Sequence, residues 1–292
     1  MFVVTLLTKP NSDRLEQDLV ESLRQKWDGT DFMWLAPKEV AEFSLSDMPL
    51  DREVVWTELQ AKGIDLLIQF ASRRRKAILL ADMDSTIIRQ ECINELAIEM
   101  GIGPQVQEIT ARAMNGELNF EESLISRVRF LEGQSEKVID TVWNNRIDFA
   151  LGAQTLLQTL RAFGVYTVLV SGGFSAFTSL VAKKLGFDEH HANQLLIKDG
   201  KLLGKVARPI LGRSSKVKIL EEVTQRLGFS KKDVISVGDG ANDLDMLRAS
   251  GTGIALHAKP ALAAKCDMRV NFGDLTSLLY LQGYSRDLFV KT

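Results

Sequence analysis

Apolar positions recur along this chain in two rhythms. Residues 2–7 form an unbroken run of apolar and β-branched side chains, which predicts a strand. Over residues 11–27, Leu15, Leu19, Leu23 and Trp27 recur at every fourth position and predict a helix. Short runs at 32–35 and 40–45 predict two further strands. Asp51 is placed to cap a helix that runs to Lys62 and ends at Gly63, and residues 64–70 read as another strand. The order of these elements is β-α-β-β-α-β, a ferredoxin-like arrangement, so residues 1–75 are expected to form a small unit of their own.

From Ala77 the rhythm changes. Fully apolar runs at 77–81, 165–170 and 234–237 alternate with helical patterns such as 154–163 and 216–227. Strands without a polar face are covered on both sides, so a parallel sheet between two layers of helices is expected over residues 76–292. Residues 89–148 interrupt this alternation with a charged helical pattern, which reads as an insert after the first strand. Residues 195–206 read as a hairpin turning at Asp199-Gly200.

Composition narrows the picture. The chain has 292 residues, 45% hydrophobic and 25% charged, with a net charge of −2. That is ordinary for a soluble globular protein of one large or two moderate domains, and there is no basic surplus to attract nucleic acid. The one basic cluster, Arg73-Arg74-Arg75-Lys76, reads as a solvated linker. No apolar run approaches the ~18 residues of a membrane span, and residues 1–7 lack the basic start of a leader. Cys92 and Cys266 have no metal-like spacing, which fits a reducing cytoplasmic setting. His190-His191 reads as a loop and not as a metal site.

The polar motifs stand where apolar strands end. Asp82-Met83-Asp84-Ser85-Thr86 follows the first strand. At strand period the two carboxylates point to one side. A carboxylate there can attack phosphorus, and a neighbour can carry the proton, although a loop cap or simple ion site would look the same. Ser171-Gly172-Gly173-Phe174 lets backbone approach a phosphate, or is a capped turn. Lys216 can neutralise phosphate, or lie on the surface. Gly238-Asp239-Gly240-Ala241-Asn242-Asp243 puts a further carboxylate at a strand end, with Asp243 or Asn242 also able to cap a helix. Three carboxylates at neighbouring strand tips suit magnesium.

Taken in this order, these motifs resemble the haloacid-dehalogenase-type phosphatases over about residues 77–285. Glu91, Phe120-Glu121-Glu122-Ser123-Leu124, Arg127-Val128 and Lys198-Asp199-Gly200-Lys201 narrow the resemblance to the phosphoserine phosphatase family. It implies a Rossmann-like α/β core with a helical cap at about 89–148. It also implies Mg²⁺-dependent hydrolysis of O-phospho-L-serine through an aspartyl-phosphate, the last step of serine synthesis. In that family Asp82 would be the nucleophile and Asp84 the general acid/base. Asp82, the Asp84 carbonyl and Asp239 would hold Mg²⁺, and Asp243 would support the metal or Lys216. Ser171, Gly172 and Lys216 would bind phosphate, Glu91 and Arg127 would read the amino acid, and Asn242 would contact substrate. The alternatives are a relative acting on another small phosphate or transferring it to homoserine, and a non-catalytic amino acid sensor. Residues 1–75 resemble an ACT-type domain, for which effector binding, homodimer formation and a purely structural role all stay open.

Overall fold

A computed structural model describes residues 1–115 and 117–291. The N-terminal unit runs β1 (Phe2–Thr8), α1 (Gln17–Lys26), β2 (Met33–Ala36), β3 (Val40–Leu45), α2 (Arg52–Ala61) and β4 (Ile64–Phe70). Its antiparallel sheet has the order β2-β3-β1-β4. Alternation along β1 sends Val4 and Leu6 toward Val20, Leu23, Val55 and Leu59 of the two helices. Leu7 faces the other way and joins a second apolar cluster with Leu275, Leu278 and Leu279 of the following unit. The small unit is therefore packed on both faces of its sheet.

The remaining chain runs β5 (Ile78–Ala81), α3 (Cys92–Glu99), α4 (Gly103–Met114), α5 (Phe120–Arg129), α6 (Lys137–Arg146), α7 (Ala153–Ala162), β6 (Tyr166–Phe174) and α8 (Ser175–Leu185). It continues through β7 (Glu189–Asn193), β8 (Leu195–Lys198), β9 (Lys201–Val206), α9 (Arg213–Leu227), β10 (Val234–Gly238) and α10 (Leu244–Ala249). It ends with β11 (Thr252–Leu256), α11 (Pro260–Ala263), β12 (Arg269–Val270) and α12 (Ser277–Leu281). Six parallel strands take the order β12-β11-β10-β5-β6-β7. From β5 the chain builds outward first through β6 and β7, then turns back to β10. The switch point lies between β5 and β10, where such sheets open a crevice beyond the strands' carboxyl ends. Helices α3 to α6 leave and return over that crevice through a paired neck. There the Arg89 amide donates to the Asp148 carbonyl (3.0 Å) and the Ala150 amide to the Ile87 carbonyl (2.9 Å).

Four local expectations change. The first helix starts at Gln17, not residue 11, because Asn11 and Asp13 take left-handed backbone (φ 58° and 50°). Leu15 still fills the core, from the loop. Asp51 makes no side-chain cap. Its carboxylate accepts from Trp27 Nε1 (2.9 Å) and pairs with Lys26 (2.7 Å), which ties α1 to α2. The basic cluster is a solvated linker only in part, since Arg73 and Arg75 are exposed while Arg74 and Lys76 are not. Arg74 forks onto Glu42 (2.7 and 2.9 Å), Arg75 lies over the Tyr284 ring, and Lys76 is buried with Nζ on the Lys232 carbonyl (2.8 Å). His190 and His191 are not in a loop but in β7, the edge strand.

Candidate active site

Asp82 and Asp239 each follow directly on a buried strand, β5 and β10, on either side of the switch point. Asp84 lies beyond the strand, in a tight turn whose next residue, Ser85, has φ 56°. The turn, and not strand alternation, brings Asp82 and Asp84 to one cavity. That cavity is also lined by Glu91, Arg127, Ser171, Gly172, Asp239 and Asn242. Asp243 and Lys216 pack directly behind it. All ten sequence-expected residues therefore lie in or against one place.

Oxygens of Asp82, Asp239 and Asp243 come within 4.8 Å of one another, all buried. Lys216 is wholly buried in the first turn of α9. Its Nζ contacts Asp82 Oδ1 and lies 2.6 Å from Asp243 Oδ1. The second oxygen of Asp243 accepts from the amides of Asp239 (3.2 Å) and Gly240 (3.0 Å). Both of its oxygens are thus engaged, so Asp243 both supports Lys216 and closes the turn. Thr86 Oγ1 donates to Asp239 Oδ1 (3.3 Å).

The Asp84 carboxylate turns the other way. It accepts from the Cys92 amide (2.7 Å) and from Ser171 Oγ (2.9 Å), and Ser171 Oγ in turn accepts from the Gly173 amide (2.8 Å). These bonds hold the Ser171 hydroxyl against the Asp84 carboxylate at the end of β6. Glu91 precedes α3 at the start of the cap and accepts from Ser85 Oγ (2.8 Å). Arg127, on α5, is buried. It donates through Nη1 to Thr110 Oγ1 (2.9 Å) and through Nε to the Ser123 carbonyl (3.1 Å). Among the described residues Asn242 Oδ1 is buried without a hydrogen-bond partner, although it lines the cavity. An unpaired buried acceptor is costly unless a ligand completes it.

Electrostatics set these groups apart from surface carboxylates. Burial pushes Asp82 well above the usual range, Asp243 adds to the rise, and Lys216 opposes it. Burial, then the Glu91 charge, lift Asp84 to about 6. Burial lifts Asp239 to about 7 against the pull of Lys259. Burial works against the charge on Lys216, but Asp243 and Asp82 outweigh it and hold the ammonium above its ordinary value. Hard oxygen donors at the crevice fit a magnesium ion, and the site carries five carboxylates (Asp82, Asp84, Glu91, Asp239, Asp243) against three cations (Arg127, Lys216, Lys259). Its excess of negative charge is what a divalent cation would balance.

Three residues here escaped the sequence reading. Lys259 lies 2.8 Å from Asp239 Oδ2 and 3.0 Å from Glu91 Oε1. It stands three residues beyond the end of β11, past His257 and Ala258, so the strand-end rule that singled out Asp82 and Asp239 does not reach it. Thr110 anchors Arg127. Asn193, at the end of β7, ties the Gly172 carbonyl (2.9 Å) to the Leu211 carbonyl and amide ahead of α9. No local pattern marks Thr110 or Asn193.

A family model of haloacid dehalogenase-like hydrolases matches residues 79–248. The chain belongs to that family. It is 38% identical to a phosphoserine phosphatase of Streptomyces coelicolor over 255 residues, which is 86% of this chain and 62% of that relative. It therefore spans less than two thirds of that relative's length. A haloacid dehalogenase-family hydrolase from Salmonella enterica superposes with a TM-score of 0.85 at 29% identity, over 96% of this chain and 98% of the other. A phosphoserine phosphatase solved as a phospho-aspartyl intermediate analogue gives a TM-score of 0.67 at 40% identity, over 70% of this chain and 98% of the other.

Proposed function

We infer that this chain is a phosphoserine phosphatase, hydrolysing O-phospho-L-serine to serine and phosphate. The observation that carries this reading is the meeting of two sets of groups in one cavity. Asp82, Ser171 and Lys216 suit a phosphate, while Glu91 and Arg127 come from the cap with charges opposite to an ammonium and a carboxylate. The similarity to proteins of that name supports the same substrate.

The residues divide the work. Lys216 and Ser171 bind the phosphate oxygens, and Lys216 holds one oxygen of Asp82 so that the other faces phosphorus. Asp82 attacks, an Asp82 O–P bond forms, and the serine O–P bond breaks. Asp84 gives its proton to the leaving serine oxygen. With a carboxyl lifted to about 6, Asp84 can hold that proton and then take one back from water. That water attacks phosphorus, releases phosphate and restores the Asp82 carboxylate. Asp82, Asp239 and the Asp84 main-chain carbonyl are the groups that would hold magnesium, which supplies positive charge against the phosphate. Positioning and electrostatics dominate phosphoryl transfer, and this arrangement supplies both.

The cavity is lined from both sides, by Asp82 and Asp239 of the core and by Glu91 and Arg127 of the cap, so closure of the cap over bound phosphoserine would exclude water and its reopening would release serine. The free cysteines Cys92 and Cys266 suit a reducing cytoplasm, and among the described residues no helix is long and apolar enough to cross a membrane.

Asp82→Asn tests the reading. The variant should release no phosphate from phosphoserine with magnesium present, while its circular dichroism matches the parent. Turnover retained by purified variant would remove Asp82 as nucleophile.

A further inference from the structure

Two lysines face the acidic crevice, and their settings differ. Lys216 is 0% exposed at its side chain and is enclosed by Asp82 and Asp243. Lys259 is 28% exposed, so its ammonium has a path to water that Lys216 lacks. Its main chain is fixed independently, because the Lys259 amide donates to the Asp239 carbonyl (2.9 Å). The flexible four-carbon stem can leave while the backbone stays. The two carboxylates it joins come from different parts of the molecule, Asp239 from the end of β10 and Glu91 from the start of the cap, just before α3. Each has another task on the phosphatase reading: Asp239 would hold the metal, and Glu91 would meet the substrate's ammonium.

We propose that Lys259 is an internal counter-cation: it holds Asp239 and Glu91 in position in the ligand-free site and yields them to magnesium and to the substrate's ammonium. This rests on the proposed function for the identity of the second cation, but not for the first. Lys259 is a positioning residue and touches no reacting atom. Its ammonium bridges cap and core in the free enzyme, and both carboxylates must exchange it for an incoming cation. A carboxylate already paired binds a competing cation less tightly, because the pair must first be broken.

The consequence is a change of affinity in an unusual direction. Removing the side-chain charge should tighten magnesium binding, whereas removing a merely structural lysine would loosen it. Lys259→Met in the full chain should bind Mg²⁺ about tenfold more tightly by calorimetry without substrate, with a larger rise in melting temperature on adding Mg²⁺ than the parent shows. Affinity equal to or weaker than the parent's would overturn the proposal. Lys259→Arg keeps the charge and forks onto both carboxylates, so it should bind Mg²⁺ about tenfold more weakly. Parental or tighter binding by that variant would overturn it too, even if Lys259→Met fails to fold. Because neither titration contains phosphoserine, the outcome is independent of whether Asp82→Asn loses activity.

Discussion

Arg127 combines two features that rarely coincide on a helix: it is almost wholly buried, and its guanidinium lines a polar cavity. Thr110 and the Ser123 carbonyl hold two of its nitrogens, so the planar fork is aimed before any ligand arrives. Burial lowers its basicity, but the nearby Glu91 and Asp84 charges oppose that fall. Lysine can keep the charge but not the fork. Arg127→Lys should therefore raise KM for phosphoserine about 10- to 100-fold, the equivalent of roughly 1.5–3 kcal/mol for a charge-assisted bond, with a smaller fall in kcat. A KM within twofold of the parent would dismiss Arg127 as the carboxylate reader. At this scale the sequence was informative wherever a polar residue ended an apolar run, as Asp82 and Asp239 do. Arg127 and Glu91 look like any charged helix residues, and only the resemblance marked them. Thr110 acts through an 17-residue separation from Arg127 that no local pattern records.

Among the elements, the irregular last stretch of β6, where its pairing with β7 shifts register, shows how backbone shape serves the chemistry. A Cβ on Gly173 would lie 2.7 Å from Asp84 Oδ2 and 3.0 Å from Ser171 Oγ. Asp84 cannot simply step aside, because the Cys92 amide fixes its other oxygen at 2.7 Å. Gly173→Ala should displace the Asp84 carboxylate and lower kcat about a hundredfold, the cost of misplacing a reacting group by about 1 Å. The melting temperature should change little, since the crowding falls on the crevice and not the core. Normal kcat in a steady-state assay would mean that the end of β6 tolerates a methyl group and that the glycine is not required there. Strand and helix order was readable because fully apolar runs and four-residue periodicity are local. The start of α1 was not, because left-handed Asn11 and Asp13 break a helix whose apolar spacing continues through them. The edge strand β7 was also hidden, because Glu189, His190 and His191 are polar residues paired on one side only.

Across the whole molecule, buried carboxylates join the two units, and Asp65 makes the most bonds. Asp65, on β4, is 0% exposed, and it accepts three backbone amides from the loop after β12: Asn271 (2.9 Å), Phe272 (2.8 Å) and Gly273 (3.0 Å). Gln69 adds a bond to the Leu281 carbonyl (2.6 Å), and Arg286 pairs with the buried Glu39. Sequence could not reveal this seam, since Asp65 and its partners lie 206 to 208 positions apart. In β4 the residue reads as a polar interruption of an apolar run. The pinned loop also reaches the crevice: His257 Nε2 donates to the Gly273 carbonyl (2.6 Å), and Lys259 follows two residues later. Asp65→Ala would leave three amides without their acceptor, at a cost of about 3 kcal/mol if water reaches some of them. For a chain of this size that corresponds to a fall of roughly 6–12 °C in melting temperature. Asp65→Asn keeps a single acceptor oxygen and should fall between the alanine variant and the parent. Calorimetric scans of the three proteins decide it. If the alanine variant melts within 2 °C of the parent, the Asp65 carboxylate is not what joins the N-terminal sheet to the following unit, and the apolar cluster around Leu7 and Leu278, with the Gln69 and Glu39–Arg286 contacts, holds the seam.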